Sequence, residues 1–119
     1  MAFDIAYAEG NNVTVTNAET SLAVDGGSTT LQTLTDVGMY MLVLDGVGSL
    51  VKGDEYTWKV YEKAQSAGTK RVIMQGKLRN AQSEPLVLPS LFLGVGWDIT
   101  LQRVSATSRA FYWTVRRVS

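Results

Sequence analysis

The run Arg109-Ala-Phe-Tyr-Trp-Thr-Val-Arg-Arg-Val-Ser119 sets three adjacent aromatics between arginines. Aromatic rings stack on bases and guanidinium groups hold phosphates, so such a run can serve as a nucleic-acid platform. A second basic set, Lys59, Lys63, Lys77 and Arg79 with Tyr61 among them, points the same way. Non-specific nucleic-acid binding draws on net positive potential. The chain is neutral with a pI near 6.2, so only a local patch is left for that role. Tyr61, Tyr112 and Trp97 offer a second chemistry, stacking on sugar rings. Trp97 and Trp113 share the parity of apolar neighbours, however, and large aromatics on that parity belong to a core.

Catalytic constellations are sparse. The 119 residues contain no histidine and no cysteine. The commonest general base and transition-metal ligand are therefore missing. Thiolate metal sites and disulfides are missing with them. Glycoside hydrolysis needs two carboxylates facing across a sugar. The candidates Asp54, Glu55, Glu62 and Asp98 each stand beside a turn or on a polar face. Asp25-Gly-Gly-Ser and Asp45-Gly-Val-Gly-Ser have neither the alternating carboxylates of a calcium loop nor the Lys-Ser/Thr that closes a phosphate loop. No residue is assigned a catalytic, cofactor-binding or metal-binding role, and no enzymatic activity is expected.

The elements that position these side chains read as strands. Tyr56, Trp58 and Val60 alternate with Thr57, Lys59 and Tyr61. Trp97, Ile99 and Leu101 alternate with Asp98, Thr100 and Gln102. Phe111, Trp113 and Val115 alternate with Tyr112, Thr114 and Arg116, so the three adjacent aromatics split between two faces. Residues 38–45 are apolar on both parities, which suits a central strand. Residues 71–79 put Val72, Met74 and Leu78 on one face. Shorter candidates are 3–7, 12–16, 20–24, 29–34 and 86–93; Pro85 and Pro89 make the last an edge strand, a bulged strand or an ordered loop. Gly-, Asn- and Asp-rich turns separate the segments. The pattern predicts an all-β, single-domain antiparallel β-sandwich or jelly-roll-like barrel over 1–119. Residues 1–30 are expected to be an N-terminal arm or edge strands contacting neighbours. The expected core is Met39, Met41, Val43, Trp58, Val60, Val72, Met74, Ile99, Leu101, Phe111, Trp113 and Val115, with Tyr40, Tyr61, Ile73 and Tyr112 facing outward.

Charge is unevenly placed along this pattern. Up to Trp58 there are eight carboxylates and one lysine; from Lys59 onward there are ten cations and three carboxylates. Either the halves interleave and cancel across strands, or they leave a dipolar surface suited to head-to-tail packing of identical copies. No apolar run approaches the roughly 18 residues of a membrane span. The N-terminus lacks the basic and apolar regions of a signal peptide.

A longer pattern runs through Asp36-x-Gly38-Met-Tyr40, Leu44-Asp45, Lys52-Gly-Asp54, Val60-Tyr-Glu-Lys63 and Gly68-Thr-x-Arg-Val72. It continues in Ala81-Gln-Ser-Glu-Pro85, Pro89-Ser-Leu91, Gly96-Trp-Asp98 and Ser108-Arg-x-Phe-x-Trp113. Over roughly residues 30–118 this resembles small β-rich proteins encoded among the virion structural genes of tailed bacteriophages. The resemblance implies a non-enzymatic protein of the virion, assembled in the host cytoplasm. The expected role is a capsid-surface decoration (cement) protein that stabilises the expanded head without a cofactor. Its partners would be copies of itself in a closed homo-oligomer and the major capsid protein or other virion proteins, with no membrane and no nucleic acid. A neck, tail or fibre-linked component is one alternative, and a carbohydrate-binding module contacting the host surface is another. The expected interface residues are Tyr61, Tyr112, Arg109, Arg116 and Arg117, with the arginines meeting an acidic neighbour such as Asp25 or Asp36 on another copy.

Overall fold

The computed structural model describes residues 7–23, 37–46, 50–65, 67–79, 84–105 and 108–117. Eight strands appear: β1 Tyr7–Val15, β2 Thr20–Ser21, β3 Gly38–Asp45, β4 Glu55–Glu62, β5 Arg71–Arg79, β6 Leu86–Leu93, β7 Asp98–Ser105 and β8 Arg109–Arg117. They form two antiparallel four-stranded sheets. Sheet A has the order β1-β8-β3-β6 and sheet B the order β2-β7-β4-β5. The chain crosses between the sheets at every connection except the β4–β5 hairpin. Partners are β1 with β8, β2 with β7, β3 with β6 and β4 with β5. This nesting is the jelly-roll arrangement, a long hairpin rolled into a sandwich. The strand candidate 3–7 except Tyr7, all of 29–34, Val24 of 20–24, and the residues Asp25 and Asp36 lie outside the described residues.

The alternation expected for β4, β7 and β8 holds. Tyr56, Trp58 and Val60, then Ile99 and Leu101, then Phe111, Trp113 and Val115 are all buried between the sheets. Two aromatic pairs join the sheets near the two ends of the sandwich. Tyr40 of β3 lies against Trp97, ring centroids 4.7 Å apart, and Tyr56 of β4 meets Phe111 of β8 edge-on at 4.9 Å. Such pairs contribute about 0.5–1.5 kcal/mol beyond their area burial.

Two expectations about the core are corrected. On β3 the buried residues are Tyr40, Leu42 and Leu44, while Met39, Met41 and Val43 turn to the outer face and are only half-buried. Both parities of this strand are apolar, so sheet B, packed on one side of it, decides which set goes in. On β5, Val72 and Met74 are 41% and 44% exposed, and only Leu78 is in the core. Val60 pairs with Met74 but Tyr61 pairs with Val72, so Ile73 is an extra residue in a β-bulge. A bulge reverses the facing of everything beyond it, which puts Val72 on the side opposite Met74. Met74 keeps the inward parity but lies on an edge strand that sheet A does not fully cover.

The prolines act as expected. β6 is an edge strand, and its register with β3 slips between Leu88 and Leu91, around Pro89 and Ser90. Two glycines admit indoles. Gly10 of β1 lies opposite Trp113 and Gly76 of β5 opposite Trp58. A Cβ at Gly10 would stand 2.1 Å from Trp113, and one at Gly76 2.5 Å from Trp58. In each sheet, an edge-strand glycine therefore accepts the ring of the neighbouring inner strand.

Candidate functional site

The outer face of sheet B is largely polar and internally paired, apart from Val72 and Ile73, exposed at the bulge of β5. Glu55 of β4 meets Arg79 Nε at 2.7 Å and Lys77 Nζ at 3.6 Å, both on the adjacent β5. Glu19, just before β2, accepts a hydrogen bond from the Tyr61 hydroxyl at 2.6 Å and faces Lys59 Nζ at 3.5 Å. Burial, followed by the bond to the Glu19 carboxylate, pushes the Tyr61 phenol up to about 12. Ser21 Oγ donates to Asp98 Oδ1 at 2.6 Å. Of the basic stripe Lys59, Lys63, Lys77 and Arg79, Lys59 is matched by Glu19, and Lys77 and Arg79 by Glu55, which weakens it as a phosphate track.

Arg109, expected to meet an acid on another copy, donates from its Nε to Asp54 Oδ2 of the same chain at 3.0 Å. Asp54 is 1% exposed and also accepts the Val51 N–H at 2.9 Å. The Arg109 backbone N–H donates to the Tyr56 hydroxyl at 2.7 Å. Burial pushes the Tyr56 phenol up, against the lowering effect of that N–H. The cluster locks the β3–β4 turn to the start of β8. Each of the four ion pairs among the described residues joins an acid of the first half to a base of the second. Interleaving in the sandwich therefore does cancel part of the charge split.

The outer face of sheet A is different. Met39, Met41 and Val43 of β3 lie beside Phe92 and Val87 of β6, with Phe92 across from Met39 and Val87 across from Val43. Phe92 is 77% exposed and Val87 42%. A cavity of about 410 Å³ adjoins this surface, lined by Val37, Gly38, Met39, Phe92, Leu93, Gly94 and Glu62. Glu62 closes one wall, its carboxylate accepting the Gly94 N–H, while the Lys63 N–H donates to the Val95 carbonyl at 2.9 Å. These two bonds clip the end of β4 to the β6–β7 turn.

The remaining expected interface residues are scattered. Tyr112 is 47% exposed and lines a hollow of about 110 Å³ with Glu9, Val43, Asp45 and Thr114. Arg116 is exposed on the same outer face, opposite Met41. Arg117 has the inward parity and donates to the Val37 carbonyl at 3.1 Å. Trp97 is 5% exposed, and the Tyr61 hydroxyl is engaged by Glu19, so Tyr112 is the open ring of the three considered for sugar stacking. Among the described residues no three carboxylates gather as a metal site.

Sequence reasoning missed the β3–β6 surface and the Glu62–Gly94 clip. The signal for the surface was present in Leu91-Phe-Leu93 and Gly38–Leu44, which are apolar on both parities and so must show apolar residues on two faces. No family model, curated protein or solved structure matches the chain.

Proposed function

We propose that the protein is a non-enzymatic virion structural protein of a tailed bacteriophage, a decoration protein that seats on the outer surface of the expanded head. The observation that carries this reading is the contrast between the two outer faces. Sheet B carries ion pairs over β4 and β5, with Val72 and Ile73 exposed at one end, whereas sheet A sets exposed Val87 and Phe92 beside half-buried Met39, Met41 and Val43. A contiguous exposed apolar surface with a polar rim suits a protein–protein contact. Jelly rolls serve in viral capsids, but lectins and cupins share the architecture. The reading therefore rests on the surface together with the sequence resemblance.

The mechanism is passive. Copies bind the expanded shell and not its precursor, so binding stabilises the expanded form by mass action. At a free concentration about a hundred times Kd, each occupied site adds about 2.7 kcal/mol. The test compares purified particles with and without this protein for heat resistance, and measures binding of added protein to stripped expanded shells. Restored resistance and saturable binding are expected. A Phe92→Asp variant that folds normally but binds stripped shells as wild type does would refute the assigned face. A copy number of about a dozen per particle instead of hundreds would move the protein to a neck or tail ring.

A further inference from the structure

We propose that copies of this protein associate head to tail, the cationic β4–β5 hairpin of one copy seating on the acidic hollow around Tyr112 of the next. The inference rests on reading the protein as an assembly unit and assigns the two surfaces that join. The hairpin carries Lys63, Lys70 and Arg71, with Val72, Ile73 and Met74 exposed beside them. Of the hairpin's two carboxylates, Glu62 accepts the Gly94 N–H and Glu55, at the far end, pairs with Lys77 and Arg79. Lys63, Arg71 and Ile73 line a cavity of about 400 Å³, open to an incoming group. The opposing surface is the hollow bounded by Glu9, Asp45 and Tyr112 on the outer face of sheet A.

Two features select a second copy as the occupant. The patches are opposite in charge, and each adds exposed apolar area: Ile73 and Met74 on one, Tyr112 on the other. They also cannot meet within one molecule. Asp45 ends β3 at the Phe111 end of the sandwich, whereas Lys63 follows β4 at the Trp97 end, on the other sheet. Symmetric pairing of β5 with itself is disfavoured because that strand carries Arg71, Lys77 and Arg79 and no acid; antiparallel alignment about Gln75 puts Arg71 opposite Arg79 of the second copy. Like charges directly opposite are destabilising. The contact is therefore between unlike surfaces, which yields closed rings when the rotation closes.

The test uses purified full-length protein and sedimentation over a concentration series. Wild type is expected to form assemblies that dissociate as salt rises from about 0.05 to 0.5 M, where screening shortens the reach of charge. Lys63→Glu/Arg71→Glu and, separately, Glu9→Lys/Asp45→Lys should each weaken association by about tenfold or more. An equimolar mixture of the two variants should restore it, because each then supplies the surface the other needs. Unchanged thermal melts would show that both variants fold. Monomeric wild type, unaffected association in either variant, or no rescue on mixing would overturn the proposal. A monomer that still binds stripped shells would leave the decoration reading intact, and an assembly that binds no shell would do the reverse.

Discussion

Removing Arg109 should destabilise the protein more than any other change to a charged surface residue described above. The Asp54 side chain is fully buried and its Oδ2 lies 3.0 Å from Arg109 Nε, while the Arg109 side chain is 28% exposed. In Arg109→Met the stem volume stays and the guanidinium goes. The carboxylate then remains buried without its cation, a situation that costs about 3–5 kcal/mol for a fully enclosed pair. Water can reach the vacated position through the exposed side of residue 109, which lowers the expected loss to about 2–3 kcal/mol. Asp54→Asn should be milder, about 1–2 kcal/mol, since the Arg109 head can turn to water and the amide oxygen can still accept the Val51 N–H. Denaturant unfolding of wild type, both single variants and the double variant measures the coupling. The double variant should recover about 1 kcal/mol or more relative to the sum of the singles. Additive single variants, or Arg109→Met within about 0.5 kcal/mol of wild type, would refute the assignment of this pair as a buried lock.

Gly76→Ala should cost about 1–3 kcal/mol through overpacking, because its Cβ would stand 2.5 Å from Trp58. A shifted tryptophan emission with an otherwise normal fold would accompany it, and an unchanged melt would contradict the close approach. Gly10→Ala should act likewise through Trp113. Ultraviolet titration should find one tyrosine ionising near 12, above the ordinary 10.0, and Glu19→Gln should lower that value. The folded state holds the Tyr61 proton more tightly than the unfolded chain. Its contribution to stability is therefore complete below about 10 and is lost as pH rises through about 12. A Glu19→Gln titration identical to wild type would show that the carboxylate does not act on the phenol.

The facing of β4, β7 and β8 was legible because polar residues mark one side of each: Thr57, Lys59 and Tyr61; Asp98, Thr100 and Gln102; Tyr112, Thr114 and Arg116. β3 has no such marker. Choosing between Met39-Met41-Val43 and Tyr40-Leu42-Leu44 needs the position of the second sheet, which periodicity does not contain. β5 failed for another reason: one extra residue at Ile73 reverses its facing, and nothing in Arg71–Arg79 announces a bulge. The edge character of β6 was legible from Pro85 and Pro89, because a residue without an N–H cannot donate to a central ladder. The Asp54–Arg109 lock was not, because its partners are 55 positions apart and only the nesting of β4 against β8 brings them together. From sequence alone Arg109 reads as an interface charge, and the topology adds Asp54 beneath it.

The position of β8 also governs how the molecule comes together in time. It follows the other seven strands among the described residues, yet it stands inside sheet A, bonded to β1 on one side and β3 on the other. Until β8 arrives, those two strands share no partner, while β4, β5 and β7 can already pair into most of sheet B. Sheet A closes only when residues as distant as Tyr7 and Arg116 meet. Contacts of such long range impose loop closure before they return any stabilisation, and domains dominated by them fold in milliseconds to seconds. Without β8, Tyr40, Leu42 and Leu44 would lack the neighbouring strand that supplies Phe111, Trp113 and Val115 to the same core. A separately supplied peptide of sequence Arg109–Arg117 is therefore expected to compete with β8 for that place during refolding, which a slowed refolding rate would show.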